Sequence, residues 1–170
     1  MDKKHKLIIS IMLVLTIIVV VSAILYVADS NSLKKYSSEE ISFNYDSNWN
    51  ISKHDDNIYL VDSSGSSVTI TVTKLDNDTI GMSLDDINSS IISKLMSDNT
   101  SYKRIAEQKT KITNIYYDGY KTLLEDKNNQ ALVFVCSTSD YVLTVNYSAE
   151  NKYFDMSLDS VENIVGSIAI

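Results

Sequence analysis

Between residues 41 and 73, apolar and polar positions alternate with a period of two. Ile41, Phe43 and Tyr45 interleave with Ser42, Asn44 and Asp46, the pattern of a half-buried strand. Ile58-Tyr59-Leu60-Val61 reads as a second, short strand, closed by the turn cluster Asp62-Ser63-Ser64-Gly65-Ser66. Val68, Ile70 and Val72 alternate with Thr69, Thr71 and Thr73, and β-branched side chains suit a pleated sheet on both faces. The period then lengthens. Leu84, Ile87, Ile91, Ile92 and Leu95 recur at helical spacing, and Ser83 with Asp86 three positions on resembles a capping box. An amphipathic helix is predicted over residues 84–97.

Residues 102–113 are charge-rich, with Lys103, Arg104, Glu107, Lys109 and Lys111. They predict an edge strand, where charge discourages pairing with other chains. Asp118-Gly119 predicts a turn or bulge before a strand over 120–125, and Lys127-Asn128-Asn129 a further turn. Residues 131–137 are apolar on both faces and read as a central strand; residues 141–147 alternate again. Leu158, Val161, Ile164, Val165 and Ile168 predict a closing helix with Ser157 as its N-cap. The order β-β-β-α-β-β-β-β-α predicts an α+β domain: a mostly antiparallel sheet with helices over its faces. Met-Ser-Leu-Asp opens both helical stretches, at 82–85 and 156–159. The flanking strands do not match, which favours convergent capping chemistry over a duplicated half-domain.

One stretch has no period at all. Residues 7–27 form an unbroken apolar run without charge, Pro or Gly. As a helix it would reach ~31 Å, about the thickness of a bilayer's hydrocarbon core. Lys3, Lys4 and Lys6 precede it and Asp29 follows, which predicts a cytoplasmic N-terminus and an extracytoplasmic remainder. Val21-Ser22-Ala23 offers the alternative of signal-peptide cleavage after Ala23. A signal core usually spans only ~7–15 residues, so the longer run favours an uncleaved anchor. The chain therefore divides into a cytoplasmic tail (1–6), a transmembrane signal anchor (7–27), a linker (28–38) and an extracytoplasmic domain (39–170).

Composition narrows the function. The chain's 15 basic and 22 acidic residues become 12 and 21 once Lys3, Lys4, Lys6 and Asp2 are set aside. A domain of about −9 repels nucleic acid and anionic lipid heads. Cys136 is the only cysteine, so no intrachain disulfide forms. It sits mid-strand beside Val133, Phe134 and Val135, as a buried small hydrophobe would. The absence of Pro, the four Gly and the abundance of Asn, Ile, Lys, Tyr and Ser fit an AT-rich prokaryotic genome.

Candidate chemistry is sparse. His54 is the only imidazole beyond the run, and with Asp55 and Asp56 it lies in a polar stretch read as a surface loop. No Gly-x-Ser-x-Gly context surrounds any serine. One His and one Cys cannot by themselves fill a zinc site. Asp76, Asp78 and Gly81 mimic positions one, three and six of an EF-hand loop, but Ile80 and Ile87 stand where oxygen ligands belong. No catalytic, cofactor or metal residue is assigned. Tyr116, Tyr117 and Tyr120 cluster in sequence and read first as strand-face packing. N-x-Ser/Thr sequons occur at Asn50, Asn77, Asn88, Asn99 and Asn146.

The run from Phe43 to Asn50, with an aromatic strand leading into Trp49, resembles the opening of PsbP-like domains, where the turn reads Pro-x-x-Trp. Asp46 stands at the Pro position and is itself a turn-former. The strand ending at Asp62, the strand over 68–72, the helix opened by Ser83 and the closing helix keep the same order. The resemblance covers roughly residues 36–170 and implies the Mog1/PsbP-like α/β/α sandwich. Plant members support the oxygen-evolving complex of photosystem II; none of their metal- or partner-binding residues is carried over. It also implies a non-enzymatic accessory or binding module, with an unknown protein partner near the membrane. The alternatives are an exported hydrolase using carboxylates around residues 49–56 and a glycosylated structural surface protein.

Overall fold

The computed structural model describes residues 32–55, 57–76, 81–112 and 117–170. The apolar run over 7–27 lies outside these described residues, as do Asp56, Asp78 and Tyr116. Among the described residues no helix is long and apolar enough to cross a membrane.

The strands are β1 (Leu33–Ser37), β2 (Ser42–Asp46), β3 (Asn50–His54), β4 (Asn57–Val61), β5 (Ser67–Lys74), β6 (Lys103–Ile112), β7 (Tyr117–Glu125), β8 (Asn129–Ser137) and β9 (Tyr141–Glu150). Helix α1 (Leu84–Asp98) follows β5, and α2 (Asn151–Ser167) follows β9. Strands β3 to β9 form one sheet in the order β3-β4-β5-β9-β8-β7-β6. All its neighbouring pairs are antiparallel, as the short turns require. Strands β1 and β2 form a separate antiparallel ribbon. Ser42 and Ala169 exchange two backbone hydrogen bonds of 2.8 Å, which tie that ribbon to the end of the chain.

Strand β8 shows how the layers lie. Leu132, Phe134 and Cys136 join one buried cluster with Val161, Ile164 and Val165 of α2. Ala131, Val133 and Val135 join the other with Ile87 and Ile92 of α1. Alternate residues of a strand point to opposite faces, so the helices sit on opposite sides of the sheet. The α2 layer also contains Phe43 and Trp49 and covers the β4-β5-β9-β8 side through Ile58, Leu60, Val68, Ile70 and Val145. The α1 layer rests on Leu124, Val133, Val135 and Val142, from β7 to β9. The two layers are therefore offset. Beyond α1, the face of β4 and β5 carries half-buried Tyr59, Thr69 and Thr71. Beyond α2, β6 and β7 stand without a helix over them.

The sequence reading needs five corrections. Residues 33–37 are strand β1 rather than linker: Tyr36 stacks on Phe43 with ring centroids 5.1 Å apart. Residues 52–54, read as part of a polar loop running to Asn57, belong to strand β3, paired with β4 from Asn50↔Val61 to His54↔Asn57. A sheet-edge strand with one half-buried side chain, Ile51, leaves almost no hydrophobic period to read. Gly119 is not in a turn but inside β7, opposite Thr110 and Cys136. A Cβ there would stand 2.3 Å from Ile112 Cδ1 and 2.7 Å from the Val135 carbonyl oxygen, so the site has room only for glycine. Ser157 does not cap α2, which begins six residues earlier with Glu150 at its N-cap. The twin Met-Ser-Leu-Asp strings thus differ in role, since Ser83 does cap α1 by accepting from the Asp86 amide at 3.1 Å.

Candidate functional site

The residues singled out for chemistry do not converge. His54 is exposed at the end of β3, its ring 5.9 Å from that of Tyr59. Cys136 is fully buried, and burial pushes its thiol up to about 12, leaving it unreactive near neutral pH. Among the described residues no group of three or more His, Cys, Asp or Glu side chains could hold a metal ion. Tyr117 and Tyr120 lie three positions apart on β7 and so face opposite sides of the sheet. Trp49 is 2% exposed and fills the core rather than lining a cleft; its indole N–H donates to Ser160 Oγ at 2.8 Å, and Ser160 donates to Asp46.

Two polar clusters have structural roles. Asp62 ends β4 and is buried. Burial alone would raise its carboxyl, but the hydroxyls of Ser64 and Ser157 and the amides of Ser64 and Ser66 outweigh it and hold the group below its ordinary value. Ser157 reaches it from α2 at 2.9 Å, so this carboxylate joins the β4–β5 turn to the helix. On the other face, Tyr120 Oη donates to Asp85 at 2.6 Å and Lys109 approaches the same carboxylate at 3.1 Å. Asn88 donates to Glu107 at 2.9 Å beside them. The Tyr120 and Lys109 contacts lower the Asp85 carboxyl, and the Asp85 contact raises the Tyr120 hydroxyl. Both groups move away from neutrality, the opposite of a proton shuttle. This seam pins α1 to β6 and β7.

The strip beside α2 is grooved, with floor side chains that are themselves buried or half-buried. Two clefts of about 250 and 220 Å³ run along it. Leu123 and Leu132 floor one, and Phe134 floors the other. Helix α2 forms one wall through Phe154 and Leu158, then Glu162 and Val165. Strand β6 forms the other, through Ala106 and Gln108, then Thr110 and Lys111. Lys121 lines both clefts: its Nζ lies 5.6 Å from the Phe134 ring centroid and pairs with Glu162 across the strip. From Phe154 to Gly166 the wall of α2 spans about 18 Å.

Sequence reasoning missed this strip. One signal was available: Leu123 and Leu124 are consecutive, so β7 is apolar on both faces, while its neighbour β6 carries five charged residues in ten. A helix can cover only part of that double-sided strand, and on the α2 side it stops short.

No family model and no curated protein matches this chain. Solved structures do. Cyanobacterial PsbP (CyanoP) from Synechocystis superposes with a TM-score of 0.62 at 12% identity, over 82% of this chain and 92% of that one. LpqN, described as involved in cell envelope biogenesis of Mycobacterium tuberculosis, gives 0.55 at 9% identity, over 82% and 91%. A protein from Bacteroides thetaiotaomicron gives 0.50 at 13% identity, over 80% of this chain and 47% of its own. At such identities the likeness is one of fold: the α+β architecture of the described residues, an antiparallel sheet with two helices, is PsbP-like.

Proposed function

We propose that this chain is a membrane-anchored, extracytoplasmic PsbP-like domain that works as a non-catalytic binding or accessory module for a protein partner close to the bilayer. The observation that carries the binding role is the pair of clefts between α2 and β6, which open over buried Leu132 and Phe134 and half-buried Lys121 and Leu123. The anchor rests on the apolar run over 7–27 and the lysines before it. The likeness to a protein named for cell envelope biogenesis fits an address outside the cytoplasm.

Catalysis by carboxylates has less support. A general acid needs a raised carboxyl, whereas Asp62, Asp85 and Asp126 are held low by the hydrogen bonds they accept. Strand β1 also brings the domain closer to the bilayer than an 11-residue linker would. Five residues, 28–32, separate the end of the run from β1 in the sequence.

Cell fractionation tests the address. The full chain should stay in the membrane through an alkaline wash, and protease added to intact spheroplasts should remove the domain. A released chain beginning at Ile24, without residues 1–23, would replace the anchor with a cleaved signal. A photo-crosslinking side chain placed on the domain surface in cells tests the binding role. Discrete protein adducts are expected; none at any surface position would overturn it.

A further inference from the structure

The face of the sheet beyond α1 is a second surface, separate from the clefts beside α2 and independent of them. Strand registers set its side chains in rows across β3, β4, β5 and β9. Ser52, Tyr59, Thr69 and Asn146 make the middle row. His54, Asn57, Thr71 and Thr144 flank it on one side. Asn50, Val61, Ser67 and Ser148 flank it on the other. Neighbouring strands lie about 4.8 Å apart and alternate residues about 7 Å apart, so the three rows cover roughly 14 Å each way. Every side chain in them is exposed or half-buried. Helix α1 walls the face beyond β9, where Thr144, Ser90 and Ile91 line one cleft.

Two properties set these rows apart. None of their side chains is Asp, Glu, Lys or Arg, although such residues make up 22% of the chain. An ordinary surface of this size would carry about three or four. Charge begins only at the rim, with Asp55 and Glu150. The polar groups are also uncommitted. Thr71 donates to Asn57 at 2.5 Å. The side chains of Ser52, Tyr59, Thr69, Thr144 and Asn146 make no hydrogen bond among the described residues. Each hydroxyl and amide there can both donate and accept. Asn146 goes further, since its Oδ1 is buried without a partner. Turning that amide out to a ligand hydroxyl would relieve the cost of the unpaired oxygen.

Chemistry narrows the occupant. A protein interface has an apolar core, and here only Val61 and Tyr59 supply apolar area. A nucleic acid or an anionic membrane needs cations, which the rows lack. A second copy laying the same face down would have to clear α1, about 10 Å thick, and face-to-face sheets need apolar inner sides. A neutral ligand rich in hydroxyls meets none of these obstacles. A sugar ring offers donors and acceptors around its rim and a C–H face to an aromatic ring. Tyr59 stands half-buried among the smaller side chains of Ser52, Thr69 and Val61. We propose that the bare face of β3, β4, β5 and β9 binds an uncharged glycan chain, with a sugar ring stacked on Tyr59 and its hydroxyls bonded to Ser52, Thr69 and Asn146.

The probe is a panel of soluble oligosaccharides, presented to the full chain in a detergent without a sugar head group. Neutral members are built from glucose, mannose, galactose, xylose or N-acetylglucosamine; anionic members are built from uronic acids. Saturable binding of at least one neutral class is expected, and none of the uronic acids. Calorimetric titration of that class against variants then locates the site. Tyr59→Ala should weaken binding roughly tenfold or more, and Tyr59→Phe, which keeps the ring, much less. Thr69→Val, close in shape and a good strand former, should weaken it several-fold. Lys94→Ala, exposed on α1, should leave it unchanged. Binding of no neutral oligosaccharide, preference for the uronic acids, or equal binding by the parent, Tyr59→Ala and Thr69→Val overturns the proposal. So does a dimer in sedimentation that Tyr59→Ala dissolves. A discrete protein adduct from a photo-crosslinker at Thr71, undiminished by excess oligosaccharide, overturns it in favour of a protein partner.

Discussion

Asp62 shows how one buried carboxylate can join distant parts of a chain. It accepts from Ser64 and Ser66 in its own turn and from Ser157, 95 positions away. Its carboxyl titrates lower in the folded chain than the ordinary value of 3.8. The stabilisation is therefore whole above that value, falls as pH drops through it towards the lower folded value, and is gone below both. Asp62→Asn should cost roughly 1–3 kcal/mol at pH 7. Urea midpoints at pH 7 and pH 3 check the linkage: the variant should lose less stability on acidification than the parent. Gly119 makes a second residue-scale case. Gly119→Ala should destabilise by about 1–3 kcal/mol through overpacking against Ile112 and the Val135 carbonyl. Adding Ile112→Val removes the Cδ1 contact but not the carbonyl, so thermal melts of the double variant should show partial recovery.

Elements differ in how much of their origin is local. Helix α1 is announced by its cap, and Ser83→Gly should cost only a few tenths of a kcal/mol because Gly is tolerated at an N-cap. The matching Ser157→Gly should cost more than ~1 kcal/mol, since it puts Gly inside a helix and removes a donor from buried Asp62. Paired denaturation curves of the two variants test that the twin strings have different roles. Strand β1 is announced by nothing, because Leu33-Lys34-Lys35-Tyr36-Ser37 has one well-placed aromatic and no alternation. Its place comes from pairing with β2 and from the Tyr36–Phe43 stack. A domain starting at residue 39 should accordingly melt at a lower temperature than one starting at residue 32. The edge character of β6 was legible from its charges, and the central place of β8 from its two apolar faces. Strand β3 and the start of α2 were not, because edge position and tertiary contact, rather than local period, define them.

At the scale of the whole molecule, offset layers decide which surfaces are free. The α1 side leaves a hydroxyl-rich face on β4 and β5, while the α2 side leaves a mixed strip on β6 and β7, with Gln108, Thr110 and Lys121 beside half-buried Leu123. The same packing settles the fate of one sequon. Asn88 is 2% exposed and its amide nitrogen is held by Glu107, so it has no room for a glycan in the fold. Intact-mass measurement of the native chain should find no glycan at that site. The sequence by itself determined the α+β class, seven of the nine strands, both helices in outline and the cap of α1, because periods of two and 3.6 are written into neighbouring residues. It also showed that no familiar catalytic motif is present. Tertiary structure alone decided the β1–β2 ribbon, the tie from Asp62 to Ser157, the glycine beneath Ile112 and the strip beside α2. A local pattern states that a face is apolar, but which neighbour covers it, and how far, depends on where the other layers come to rest.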